Sequence, residues 1–168
     1  PTCLNVNEVA GHFSPFKGEG HALKGGDLVK IDLGVHIDGY ITQVGHTVVV
    51  PLGDEDSKEG VNDEGKVCDR RADVLKAAWY ASEAVARTIR VGATNTEITP
   101  IFQKVAEMFG CNAMQAVLSH EVKKHIIDGN NCIISKEVLT DEQKTDEFTF
   151  KENTVFTIDV CMSTGEGK

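Results

Sequence analysis

Two apolar runs joined by Asp38-Gly39 constrain the fold more than any other feature of this chain. Residues 25–50 read GGDLVKIDLGVHIDGYITQVGHTVVV. An Asp-Gly pair between alternating apolar residues is a strong signal for a two-residue hairpin, because both central positions need positive φ. With Asp38 and Gly39 as the loop, Ile37 lies opposite Tyr40 and Asp32 opposite Gly45. Val29, Ile31, Leu33 and Val35 then share one face, and Leu28, Lys30, Asp32 and Gly34 share the other. Gln43 is the diagonal neighbour of Asp32 on that second face, within reach for long side chains.

Around the hairpin the chain reads as an α/β (α+β) fold. Cys3–Gly11 reads as a short strand closed by His12-Phe13-Ser14-Pro15, and residues 52–65 as a polar loop or mobile linker. Val67, Val74, Leu75, Ala78, Val85 and Ile89 recur at helical spacing, which predicts a helix over 66–90. Thr94 and Glu97 have capping-box spacing for a second helix, although Pro100 argues for a cap nearer Thr96. Its buried stripe is Ile98, Ile101, Phe102, Val105, Met108 and Phe109, and Gly110 ends it. Residues 113–120 read as a strand, 124–134 as a second hairpin around Asp128–Asn131, and 135–151 as a charged surface insert. Thr154–Met162 reads as a buried strand with Asp159 in its middle. The expected architecture is a curved, mainly antiparallel sheet backed by two helices.

The 168 residues suffice for one domain, with 40% hydrophobic residues to build a core. With 17 Lys and Arg against 26 Asp and Glu, the net charge is −9. Such a chain is a poor nucleic-acid binder by itself, because phosphate contacts need clustered cations. Five scattered Cys without a CxxC pair fit reduced intracellular thiols. No apolar run approaches 18 residues and nothing resembles a targeting segment, so no membrane insertion is expected. The chain begins at Pro1 without Met and stops just after a strand-like run. We therefore expect residues 1–168 to form a partial domain, with N- and C-terminal parts of a longer protein missing.

Asp32, His120 and Asp159 stand out because each lies in apolar, strand-like sequence, where a buried acid needs a partner or a metal. Together they form a ligand set that hard-to-borderline divalent ions accept. The same residues also read as three independent pieces: a sheet-edge acid, a strand-end histidine and an acid bonded to nearby amides. His12 is either an ordinary loop histidine or a second group facing the cleft of Asp32. GxSxG, HExxH, P-loop and dinucleotide fingerprints are absent.

VNEVAGHFSP, VKIDLGVHIDGYI, LSHEVKKHIIDG and TIDVCMSTGEGK together resemble one family. It is that of the proliferation-associated, ErbB-receptor-binding proteins, noncatalytic relatives of methionine aminopeptidase with the pita-bread fold. The resemblance covers nearly the whole chain. It places Asp32 at the first metal-binding Asp of the aminopeptidases and Gln43 at the second. His120 falls at the metal-binding His, Asp159 at the first metal-binding Glu, and His12 at a substrate-touching His. The Gln43 amide offers one neutral acceptor oxygen where a carboxylate would offer charge and two oxygens. Two dications held close need several carboxylates to offset their repulsion. The resemblance thus implies vestigial metal positions, no cofactor beyond a single weakly bound divalent ion, and no hydrolysis. It implies instead an RNA- and ribosome-associated growth regulator of the cytoplasm, nucleus and nucleolus, with protein partners in growth signalling and DNA as a further ligand. The alternative is a functional metal-dependent methionine aminopeptidase with an altered ligand set.

Overall fold

The computed structural model describes residues 2–137 and 145–168. They divide into two compact units, one of residues 1–36 and 42–72, the other of 37–41 and 73–168. The first unit is built on an antiparallel sheet in which β2 (Leu28–Ile37) lies between β1 (Thr2–Val6) and β3 (Tyr40–Val49). Asp38 and Gly39 are the loop between β2 and β3, with φ of 51° and 82°. This is the primed turn that matches the right-handed twist of the flanking strands. A Cβ placed on Gly34 would lie 3.5 Å from Gln43 Cγ, so the register is the one expected from the turn. β1 is shorter than the sequence suggests. It ends at Val6 because Asn7 turns back at φ 49°, and its N–H donates to Leu28 O at 2.8 Å.

Arg71 fastens the 52–65 loop of this unit. Its guanidinium donates to Gly26 O at 2.9 Å and Glu59 O at 3.0 Å, and pairs with Asp69 at 2.9 Å. That fork holds a segment whose composition suggested a mobile linker. The hydrogen-bonded Arg71 guanidinium keeps the Asp69 carboxyl below its ordinary range, against a smaller effect of burial.

The second unit carries both helices. α1 (Arg70–Thr88) starts four residues later than expected, because Asp69 receives the Arg71 N–H at 2.9 Å and acts as its cap. Ala77, Ala81 and Val85 are its buried ridge, one turn apart. α2 (Asn95–Met108) buries Ile98, Phe102 and Ala106. Its cap is Thr94, not Thr96. Glu97 reaches back to accept the Thr94 N–H at 3.0 Å, and Pro100 sits inside the helix. The reciprocal cap outweighs the preference of proline for the first turn.

The rest of the second unit is two small antiparallel ladders. β4 (Asn112–Ala113) pairs with β8 (Met162–Ser163), and β5 (Leu118–Val122) lies between β6 (Cys132–Ile134) and β7 (Val155–Thr157). The single strand expected over 113–120 is therefore broken, with Ala116 at φ 59° between β4 and β5. The second hairpin joins β5 to β6, and Lys123–Ile126 closes its own tight turn. The strand expected over 154–162 breaks likewise into β7 and β8, with Asp159 in the gap.

Of the segment expected as a surface insert, 138–144 lie outside the described residues, and the end of the remainder is core. Phe150 is 3% exposed, edge-on to Phe148 and Phe156 at 5.1 Å each. Its charged neighbours mask an apolar F-x-F alternation. Asn95, 2% exposed, ties this segment down: its side chain donates to Cys132 O and Asp146 O, both at 3.1 Å, and accepts the Phe148 N–H at 3.0 Å. Burying such an amide is tolerable because it is so fully bonded.

Candidate functional site

The hairpin supplies one pair of candidate residues. Asp32 and Gln43 lie on one face of β2 and β3, and by the turn register each faces a glycine, Gly45 and Gly34. The glycines leave both polar side chains uncrowded across the ladder. Across the other edge of β2, Cys3 is the partner of Asp32 and stands on the same face. Asp32 itself is exposed, so the burial expected from its apolar neighbours does not hold. Strand alternation turns those neighbours to the opposite face and leaves the acid in water.

His12 lies in the loop that folds back along β1. Asn5, 2% exposed, accepts the Phe13 N–H at 2.8 Å, and Leu4 N donates to Phe13 O at 3.0 Å. This tether fixes His12 at φ 64° with its ring exposed. Among the residues described as carrying it, Asn5 escaped sequence reasoning. A polar residue between Leu4 and Val6 in a strand was its one signal.

The second unit supplies the other pair. His120 sits on the central strand β5, opposite Cys132 on β6 and Thr157 on β7. Asp159 follows two residues after Thr157, where the β5–β7 ladder has ended. Ser119 fixes the Asp159 backbone: its Oγ accepts the Asp159 N–H at 2.9 Å and donates to Asp159 O at 3.3 Å. The Asp159 residue is exposed, a second departure from expected burial, because it lies between strands and not within one. His120 Nδ1 is buried without a hydrogen-bond partner. Its neighbour Cys132 has its thiol pushed up by burial, then by Asp128, which disfavours the nucleophilic thiolate.

Chemically, the hairpin pair offers one carboxylate and one neutral amide oxygen, and His120 and Asp159 add an imidazole and a carboxylate. Among the described residues no group of three or more His, Cys, Asp or Glu stands ready to hold a metal ion. Glu121, on the opposite face of β5 from His120, was not singled out in the sequence. It is 4% exposed and paired with Asn131 and Lys123. Strand alternation groups it with Ser119, but nothing in Leu118-Ser119-His120-Glu121-Val122 says which face is buried.

The pattern of metallopeptidase family M24 matches residues 2–167. Proliferation-associated protein A of Dictyostelium discoideum is 46% identical over 168 residues, all of this chain and 41% of that protein. ErbB-3 binding protein 1 of Arabidopsis thaliana is 44% identical over 168 residues, all of this chain and 39% of that protein. The chain thus spans about two-fifths of the length of these relatives. The crystal structure of methionine aminopeptidase from Thermotoga maritima superposes with a TM-score of 0.78 over 99% of this chain and 58% of that one, at 19% identity. That likeness shows the fold, the pita-bread arrangement of mixed helices and antiparallel sheets.

Proposed function

This chain belongs to metallopeptidase family M24, and from that premise we propose that it is part of a noncatalytic member, a protein that acts by binding instead of by hydrolysis. The observation that carries this reading is Gln43. It shares the Asp32 face of the hairpin, where a two-ion centre needs a second carboxylate. Its amide supplies one neutral oxygen, so the donor set loses a negative charge while the repulsion between two dications stays. Asp159 adds to the shortfall, being one methylene shorter than the Glu that the resemblance sets there. The residues present do not fit a two-ion site, and the positions Asp32, Gln43, His120 and Asp159 are read as vestigial.

The binding role follows from the relatives. Proteins similar over the whole of this chain are named for association with proliferation and for binding ErbB-3. A growth regulator that binds structured RNA, ribosomes and signalling proteins, in cytoplasm and nucleus, is the reading this supports best. The acidic balance of the chain supports a reading in which cationic RNA contacts come from residues beyond these 168. One observation favours the second reading, a working aminopeptidase: His120 Nδ1 is buried and unbonded, as a nitrogen awaiting a ligand would be.

The discriminating experiment incubates the full-length protein with Mn²⁺ or Co²⁺ and Met-initiated peptides. No release of methionine is expected. Turnover that disappears in His120→Ala would establish the enzyme. In parallel, ribosomal RNA binding by full-length protein and by residues 1–168 is compared across salt. Binding by the full-length protein alone is expected, and equal, steeply salt-dependent binding by both would place the RNA surface within this chain.

A further inference from the structure

A cleft of about 500 Å³ opens in the second unit, lined among others by Glu121, Lys123, Glu147, Phe148, Phe150 and Phe156. It lies on the face of β5 opposite His120, since successive residues of a strand alternate. Its least ordinary feature is the Glu121 carboxylate. The side chain is only 5% exposed, yet both of its bonds fall on one oxygen: Oε2 accepts from Asn131 Nδ2 at 2.9 Å and from Lys123 Nζ at 3.1 Å. Among the described residues no hydrogen bond to Oε1 is seen, and Glu121 lines the cleft. A desolvated carboxylate with lone pairs left over beside a cleft is a strong acceptor for a cation.

We propose that this cleft receives the side chain of an arginine from a basic segment of a protein partner. The chemistry of the walls selects this group. Phe148 and Phe156 stack at 5.6 Å and present apolar surface along which a three-carbon stem can lie. A planar guanidinium is weakly hydrated, packs on aromatic faces and can direct an N–H at the carboxylate oxygen that Asn131 and Lys123 leave unbonded. Glu147, on the rim, offers a further acceptor beside the one it gives Thr96 at 2.7 Å. The resident cations do not cancel this charge. Lys123 is 56% exposed and Lys151 is exposed, so both can turn to water, while Glu121 stays fixed. Lys123 on Oε2 already shows an ammonium accepted at this carboxylate. The net charge of −9 favours a basic partner over an acidic one. The site is independent of Gln43 and stands or falls separately from the noncatalytic reading.

The test is saturation-transfer NMR on the full-length protein with acetyl-arginine-amide as the probe, beside its citrulline counterpart, which has the same shape without the charge. Saturation should reach the methylenes of the arginine stem, and citrulline should bind about tenfold more weakly. Lys123→Ala should tighten binding several-fold, because it removes the competing cation, and Glu121→Gln should weaken it about tenfold. The Lys123 variant lies on the exposed rim and leaves the proposal testable where Glu121→Gln fails to fold. Equal binding of citrulline, no binding at millimolar probe, or a Lys123→Ala effect that is neutral or weakening would overturn the assignment. Free arginine binding more tightly than the blocked amide would refute a peptide source.

Discussion

Gly39→Ala tests the turn on which the hairpin register depends. Two costs follow from the structure. Gly39 sits at φ 82°, a region where an L side chain costs about 1–2 kcal/mol. A Cβ there would also overlap the ring of His125, and the His125 backbone N–H donates to Gly39 O at 2.8 Å. Pushing His125 aside stretches that bond, worth about 0.5–1.5 kcal/mol. The sum, about 1.5–3.5 kcal/mol, is read from urea unfolding of the full-length protein with the denaturant slope held common. The double variant Gly39→Ala/His125→Gly separates the terms. It should recover the overlap but not the φ cost, leaving a deficit of about 1–2 kcal/mol against His125→Gly alone. A loss below about 0.5 kcal/mol for Gly39→Ala would refute both the turn geometry and the docking of His125 against it.

Other measurements reach the rest of the fold. Phe150→Ala should cost about 3–5 kcal/mol in the same unfolding assay, because it removes a fully packed ring from the trio with Phe148 and Phe156; a surface-like loss would restore the segment to an insert. Glu97→Ala removes the acceptor for the Thr94 N–H and should cost about 1 kcal/mol, seen as a lower melting temperature. Asp69 and Asp27 both have folded carboxyls held below their ordinary value of 3.8, Asp69 chiefly by Arg71 and Asp27 chiefly by the Lys24 N–H. Their stabilisation is therefore complete above that value and is lost as pH falls through the lowered folded values. Arg71→Ala should flatten the acid limb of a stability–pH curve and speed Glu-specific proteolysis within residues 52–65, and an unchanged limb would refute the pairing.

What was legible in the sequence was local or periodic, and what was not was set by long-range packing. The Asp38-Gly39 turn, the helical spacing through Val85 in α1 and through Ile98 and Phe102 in α2, and the Thr94–Glu97 spacing each need only neighbours within a few residues. The cap expected nearer Thr96 and the burial expected of Met108, which is 76% exposed, did not hold. The breaks at Ala116 and Asp159 have no local signal. They arise where the chain leaves one ladder for another, and an apolar run reads the same either side of such a break. Phe148 and Phe150 were hidden by charged neighbours, and only their partners on other elements show them to be core.

Site residues divide along the same line. Asp32, Gln43, His120 and Asp159 were found because residue type and spacing carry them, yet the burial that made the acids look costly is absent from both. Glu121 shows the converse. Its burial could not be read, since acids in strands most often face water, and nothing in LSHEV tells which face meets the helices. The structure therefore shifts the physical weight of the chain. Asp32 and Asp159 are exposed, whereas the Glu121 carboxylate is desolvated. A desolvated charge with spare bonding capacity is where ligand binding has most to gain, which is the physical ground for setting the proposed arginine contact on the Glu121 face of β5.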